Sequence, residues 1–232
     1  MITLALDTSE ARGSVALLLN CSRISIRDHA DGSDYSGWLL PAVNEVLREA
    51  GTKLEQLDLL AVSTGPGSFT GLRVGLTTVK AWSQVYGTPI VGVSRLEAIA
   101  RSHEAKSQFV AACYDAQRGQ LFGALYLKRG DRLERVGDEM VSDPQEFVSF
   151  IHTTTGKQPV TWISLDPGLI RSTEAMSARI PLGDTTLTAP TALAPAVGTL
   201  AEEYASEGKL TDSLSLDANY VRRSDAEIFW KG

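Results

Sequence analysis

The sequence predicts an α/β protein made of mixed sheets with helices on their faces. Short apolar runs that read as strands alternate with longer segments whose apolar residues recur at helical spacing. Up to Ser102 the order is β-β-β-α-β-α-β-α, three strands joined by short turns and then strand–helix pairs. From Phe109 a second series, β-β-β-α-β, follows without residue-level repetition, an echo of topology rather than of sequence.

Residues 2–6 form an apolar run that ends in Asp7-Thr8-Ser9, a buried strand entering a polar turn. Residues 14–19 and 23–28 continue an antiparallel meander, with Gly13 supplying the first turn. At residues 38–50 the period changes, and Leu39, Leu40, Val43, Val46, Leu47 and Ala50 share one helical face. Pro41 near the start and Gly51 just beyond the end suit such a helix. Residues 57–63 are a strand, 70–86 a helix and 90–93 a strand; Ser94 with Glu97 three positions on forms a capping box for a helix to about Ser102. In the second series, residues 109–114, 120–128 and 132–139 read as strands, a helix runs from Asp143-Pro144 to about Ile151, and residues 160–165 are a strand. No pattern is legible over 182–195, and residues 197–206 are helical.

Composition narrows the function classes. Lys plus Arg total 22 against 28 Asp plus Glu, a formal net charge of −6. A protein that grips RNA alone neutralises phosphates with a basic face, and here the basic residues are scattered. Cys21 and Cys113, each in an apolar setting, read as buried reduced thiols. His29, His103 and His152 are widely separated, with no HxxxH or HExxH pair for a metal. The first residues lack a signal-peptide pattern and no apolar run is long enough for a membrane span, so a cytoplasmic location is expected.

Gly65-Pro66-Gly67-Ser68-Phe69-Thr70-Gly71-Leu72-Arg73-Val74-Gly75 is the most informative stretch. Glycines after a strand permit close backbone approach, and Ser68 or Thr70 can cap the next helix. That arrangement suits an anion at the helix N-terminus, or a tight strand-to-helix turn with no ligand. Neither the P-loop nor the dinucleotide fingerprint fits. Asp7-Thr8-Ser9 allows the same two readings: a Mg²⁺-holding carboxylate beside a phosphate, or an Asx turn. Gly71 and Gly75 lie four apart on one helix face, extended by Thr78, Val79 and Trp82, and imply that another backbone comes close: an internal element or a second chain. Asp115-Ala116-Gln117-Arg118-Gly119-Gln120 is a hairpin loop or a site, and residues 217–223 are a docking tail or a pinned terminus. No GxSxG elbow and no usefully spaced carboxylate pair is present.

Asp7-Thr8-Ser9, Leu39-Leu40-Pro41, the stretch 65–75, Gly92-Val93-Ser94, Asp115-Ala116-Gln117-Arg118 and Tyr220-Val221-Arg222 together resemble the TsaB (YeaZ) family, most strongly over residues 1–120. The resemblance implies a two-lobed actin-like, sugar-kinase-like (ASKHA) ATPase fold, with an N-terminal lobe over 1–105 and a C-terminal lobe over 106–232, the last helix and tail returning to the N-lobe. It implies a non-catalytic partner in making N6-threonylcarbamoyladenosine beside the anticodon of tRNAs that read codons beginning with A. A TsaD-like subunit would carry the metal and the transfer, a TsaE-like ATPase would join, and the chain alone would form a homodimer. tRNA would be met only through the complex. No cofactor is firmly implied; a nucleotide, ATP or ADP, would sit at the complex interface. The implied partner interface is Leu39, Leu40, Val43, Val46, Leu47, Thr70, Gly71, Val74, Gly75, Thr78, Val79 and Trp82, so that Gly75→Leu should weaken pairing and spare the fold. The implied vestigial phosphate loops are Asp7, Thr8, Ser9, Gly65, Gly67 and Ser68. Tyr35 stands where the family often has His. The alternatives are an active ATPase or phosphotransferase built on Asp7 and the Gly65–Ser68 turn, and a protease acting on the partner.

Overall fold

In the computed structural model, which describes residues 1–29 and 34–221, the chain divides into two compact units. One comprises residues 1–98 and the chain from Thr191 onward, the other residues 99–190. The division falls between Ala98 and Ile99 rather than at 105/106.

The first unit holds a five-stranded sheet in the order β3-β2-β1-β4-β5: β1 (Ile2–Asp7), β2 (Ser14–Leu19), β3 (Ser22–Asp28), β4 (Leu59–Gly65) and β5 (Ile90–Ser94). The meander β1–β2–β3 is antiparallel, and β4 and β5 run parallel to β1. Alternation along the strands assigns the two faces. Leu4, Leu6, Val15, Leu17, Leu60 and Val62 point to one side, where α1 (Tyr35–Glu49) and α2 (Phe69–Tyr86) cover them with Leu39, Val43, Val46, Leu72, Leu76 and Val79. Ala5, Ala16, Ala61, Val91 and Val93 point to the other, against Ala194, Val197, Leu200 and Ala201 of α7 (Ala194–Ser206). The small strand residues on that face let the helix approach closely, and this packing binds the chain after Thr191 to the first unit. Between β5 and the second unit, Ser94 Oγ accepts the Glu97 N–H at 3.3 Å and caps α3 (Arg95–Arg101).

The second unit repeats the topology. Its sheet runs β10-β9-β6-β7-β8, from β6 (Phe109–Gln117), β7 (Gln120–Arg129), β8 (Arg132–Ser142), β9 (Val160–Ser164) and β10 (Thr185–Thr188). Again the first three strands form an antiparallel meander and the last two run parallel to the first. Phe147, Val148 and Ile151 of α4 (Pro144–Thr155) pack on Ala111, Cys113, Leu121, Leu125 and Trp162.

Helix α1 begins a turn earlier than the apolar period predicts, because the Asp34 carboxylate caps it by accepting the Ser36 N–H at 3.0 Å. Residues 166–190, partly unread in sequence, hold α5 (Gly168–Arg171), α6 (Glu174–Ser177), a 3₁₀ turn and β10.

The expectation of two buried thiols holds for Cys113 but not for Cys21, which is exposed at the β2–β3 turn. Asn20 and Cys21 adopt φ of 50° and 62°, as a two-residue hairpin turn demands. Glu202 of α7 fastens that turn: one carboxylate oxygen accepts the Cys21 N–H at 2.7 Å and the thiol at 3.2 Å. Burial, the bond to Glu202 and its charge push the Cys21 thiol up from 9.0 to about 11. A rise of that size cuts the thiolate fraction about 100-fold, and the greater nucleophilicity of a more basic thiolate returns about tenfold. Alkylation of Cys21 by iodoacetamide at neutral pH is therefore expected to run about tenfold slower than that of an unperturbed thiol. Glu202→Gln should speed it, because removing the carboxylate charge lowers the thiol pKa. Equal rates for the two proteins, followed by mass spectrometry, would show that Glu202 does not control the thiol.

Candidate functional site

The fold brings the two candidate phosphate loops together. Strand β1 ends at Asp7 and its parallel neighbour β4 ends at Gly65, so Asp7-Thr8-Ser9 lies against the turn that starts α2. The Ser68 N–H donates to the Ser9 carbonyl at 2.6 Å, and the Ser9 and Ser63 hydroxyls are 2.8 Å apart. Gly67 is required by this closeness: a Cβ there would lie 2.2 Å from the Ser9 carbonyl oxygen. Ser68 caps α2, its hydroxyl accepting the Gly71 N–H at 3.3 Å.

Asp7 faces inward. One carboxylate oxygen accepts the Ser9 N–H at 3.1 Å, an Asx turn, and the other lies 3.4 Å from Nε of Arg95. Asp7, Thr8, Ser9, Ser63 and Arg95 are all buried, and Arg95 also stands 3.7 Å from the Glu10 carboxylate. Arg95 went unnoticed in the sequence because Ser94-Arg95-Leu96 reads as an ordinary helix start; only the sheet order carries it to the end of β1. As arranged, these residues do not fit a nucleotide phosphate with its metal. A guanidinium occupies the charge position beside Asp7, and the Ser9 carbonyl and Ser68 hydroxyl take the N–H groups of Ser68 and Gly71.

The glycine face of α2 is explained within the chain. The Thr8 hydroxyl donates to the Gly71 carbonyl at 2.7 Å, and a Cβ on Gly71 would stand 2.1 Å from the Thr8 carbonyl oxygen. A Cβ on Gly75 would meet Thr8 Oγ1 at 2.5 Å. A backbone does come close, as the glycines require, but it belongs to the end of β1. Thr8 thus accounts for both glycines without a second chain, and Gly75→Leu would strike Thr8 rather than spare the fold.

The remaining interface candidates divide by exposure. Leu39, Val43, Val46, Leu47 and Val79 are core residues, and Trp82 is half-buried against that core. Leu40, Thr70, Val74 and Thr78, with the buried Leu39 beneath them, line an open groove of about 560 Å³ between α1 and α2, with Phe69 and Arg73 on its rim. Leu40 is 52% exposed and Phe69 39%. Phe69 carries the Arg73 guanidinium 3.7 Å above its ring and packs 5.2 Å from Tyr220.

Tyr35 stacks on His29 with ring centroids 4.1 Å apart, and its hydroxyl donates to the Glu10 carbonyl. Burial, followed by the nearby Asp7 charge, raises its phenol well above the ordinary value, so it stays a neutral donor that ties the start of α1 to the β1–β2 connection. In the second unit, Asp115-Ala116-Gln117-Arg118-Gly119-Gln120 is a hairpin turn: the Gln117 N–H donates to Asp115 at 2.8 Å and residues 117–119 all have positive φ. At the chain's end, the Asn219 N–H donates to the Thr64 carbonyl at 2.7 Å; Arg222 and Arg223 lie outside the described residues.

A family model described as TsaD, tRNA N6-adenosine threonylcarbamoyltransferase, matches residues 31–164. The chain is 30% identical to the tRNA threonylcarbamoyladenosine biosynthesis protein TsaB of Escherichia coli over 73% of its own length and 78% of that protein's. The chain belongs to the TsaB family. TsaB of Bacillus subtilis is 32% identical over 59% of each chain, so the match spans little more than half of that relative. YeaZ from Pseudomonas aeruginosa superposes with a TM-score of 0.77 at 25% identity, covering 94% of this chain and 99% of that one. A ROK hexokinase from Thermus thermophilus, at a TM-score of 0.52 and 10% identity, shares the fold. The two mixed sheets of this TsaB-family chain are therefore those of the sugar-kinase and actin-like class.

Proposed function

We propose that this chain is a non-catalytic partner subunit in the biosynthesis of N6-threonylcarbamoyladenosine in tRNA, acting beside a TsaD-like catalytic subunit and a TsaE-like ATPase. The observation that carries this is the pairing of a closed loop site with an open groove. Asp7 is buried against Arg95 while Leu40 and Phe69 remain exposed, with Val74 half-buried, between α1 and α2. A carboxylate so held is unavailable to a metal, whereas an apolar groove with a cationic rim is ready-made for another helix or a second copy. The α1–α2 face serves the TsaD-like partner, and a homodimer in its absence. A nucleotide belongs to the assembled complex. With a net charge of −6 the chain meets tRNA through the complex rather than alone. Among the described residues no helix is long and apolar enough to cross a membrane, which agrees with work in the cytoplasm.

The test is to mix the chain with its TsaD-like partner and follow mass and heat by light scattering and calorimetry. Leu40→Glu, which puts a charge in the groove and leaves the core untouched, is expected to weaken the complex about 10- to 100-fold, the range for a central apolar contact. Unchanged affinity would move the interface elsewhere. Measurable ATP turnover by the purified chain, abolished by Asp7→Ala, would instead favour the ATPase alternative.

A further inference from the structure

The loop site holds a cation of its own, and that cation comes from a distance. Asp7 ends β1, whereas Arg95 follows β5, two strands away, so its side chain crosses the end of β4 to reach Asp7. There the guanidinium meets two carboxylates, Asp7 through Nε at 3.4 Å and Glu10 through a terminal nitrogen at 3.7 Å. Among the described residues Arg95 is the one cation that touches Asp7, and both are buried. The contact is loose beside that of Arg179 with Asp184, whose two bonds measure 2.9 and 3.0 Å. A buried pair held by one long contact gains little attraction against the desolvation of two charges. Removing one partner is different, because it strands the other's charge in the interior.

We propose that Arg95 fills a divalent-cation position between Asp7 and Glu10, and that this one side chain keeps the loop site from taking a metal. Three observations support it. The guanidinium stands where the two carboxylates converge, so a neutral residue there leaves Asp7 buried without a cation and Glu10 beside it. The neighbouring groups are hard oxygens, the buried hydroxyls of Ser9 and Ser63, 2.8 Å apart, and carboxylates with hydroxyls and water suit Mg²⁺ or Mn²⁺. The loop is also framed without Arg95: the Ser9 N–H donates to Asp7 at 3.1 Å and the Ser68 N–H to the Ser9 carbonyl at 2.6 Å. Glu10, its side chain 29% exposed, gives an ion a way in from solvent. The inference rests on the reading of this chain as non-catalytic and extends it: a nucleotide in the assembled complex draws its metal ligands from the partner.

The experiment titrates Mn²⁺ into the full chain, into Arg95→Met, which keeps a long stem without the charge, and into Arg95→Met combined with Asp7→Asn. Electron paramagnetic resonance and calorimetry follow binding. The parent and the double variant should show no saturable site. Arg95→Met should bind one Mn²⁺ with a dissociation constant of about 0.1–1 mM, the weak end of the range for carboxylate sites. Its melting temperature should rise with Mn²⁺ while the parent's stays fixed. A folded Arg95→Met that binds no Mn²⁺, or a parent that binds it through Asp7, would overturn the proposal. Arg95→Gln, whose amide can still donate to Asp7, guards against a failure to fold. If neither variant folds even in about 10 mM Mn²⁺, well above that constant, a metal cannot stand in for the guanidinium and the proposal falls. The metal readout needs no second protein. A parent that fails to bind the TsaD-like subunit would sink the partner reading and leave this result untouched.

Discussion

Asp184→Ala is expected to destabilise the 99–190 unit by about 3–5 kcal/mol, the cost of leaving a buried charge without its partner. The side chains of Arg179 and Asp184 are both fully buried, with Nε and one terminal nitrogen of the guanidinium 2.9 and 3.0 Å from the two carboxylate oxygens. The guanidinium also donates to Thr155 Oγ1 and the carbonyls of Gly156 and Gln158, at 2.9, 2.9 and 2.8 Å. Asp184 in turn accepts the Val160 N–H at 2.9 Å and the indole N–H of Trp162 at 2.6 Å. The two halves of the pair are comparable. Arg179→Met leaves a buried carboxylate that still accepts two N–H groups, and orphans the three acceptors that the guanidinium served. Asp184→Ala leaves a buried cation that keeps those three acceptors, and orphans two donors, each worth about 1–3 kcal/mol. Both variants should therefore lose several kcal/mol, measured by urea unfolding followed through tryptophan fluorescence. Losses under about 1 kcal/mol would mean that the network does not hold this segment.

The same network shows why residues 166–190 resisted reading. A strand such as β1 announces itself through local alternation, Leu4 and Leu6 against Ala5, because each face meets one kind of surface. The short helices and β10 have no such period. They are fixed by one arginine that reaches the end of α4, the start of β9 and the aspartate before β10. Polar bonds between distant residues leave no trace in a window of local sequence. Asp7 and Arg95 share that blindness, being 88 positions apart and joined only because β5 lies two strands from β1 in the finished sheet. Legibility was partial at the glycines. Gly71 and Gly75 correctly signalled a close backbone, but sterics without topology cannot say whose. For the groove, the apolar face of α1 was plain, yet its division into core residues such as Val43 and the exposed Leu40 depends on where α2 settles. The aromatic rim of Phe69 and Tyr220 joins residues too far apart in sequence to be paired by inspection.

Gly71→Ala should destabilise the first unit by about 1–3 kcal/mol, and no change at the Thr8 side chain should restore it. A methyl at that position would stand 2.1 Å from the Thr8 carbonyl oxygen, so the end of β1 or the helix must shift. Overpacking of this kind costs about 1–3 kcal/mol, and displacing the buried Thr8–Gly71 hydrogen bond adds about 1. The better helix propensity of alanine returns about 1 kcal/mol. Gly75→Ala meets only the Thr8 hydroxyl, at 2.5 Å, and a side chain can turn where a backbone cannot. Its expected cost is about 1 kcal/mol, because the buried hydroxyl gives up its bond to the Gly71 carbonyl, about 2 kcal/mol, and the helix propensity of alanine returns about 1. Combined with Thr8→Ala, Gly75→Ala should become neutral or mildly stabilising, since the obstruction is gone and the helix keeps its gain. Denaturant unfolding of the four proteins closes the cycle. Under conditions where each variant is folded, affinity for the TsaD-like partner should match that of the unaltered chain, because both glycines face Thr8 and not the groove. A variant that unfolds like the parent yet binds tenfold more weakly would return these glycines to the interface.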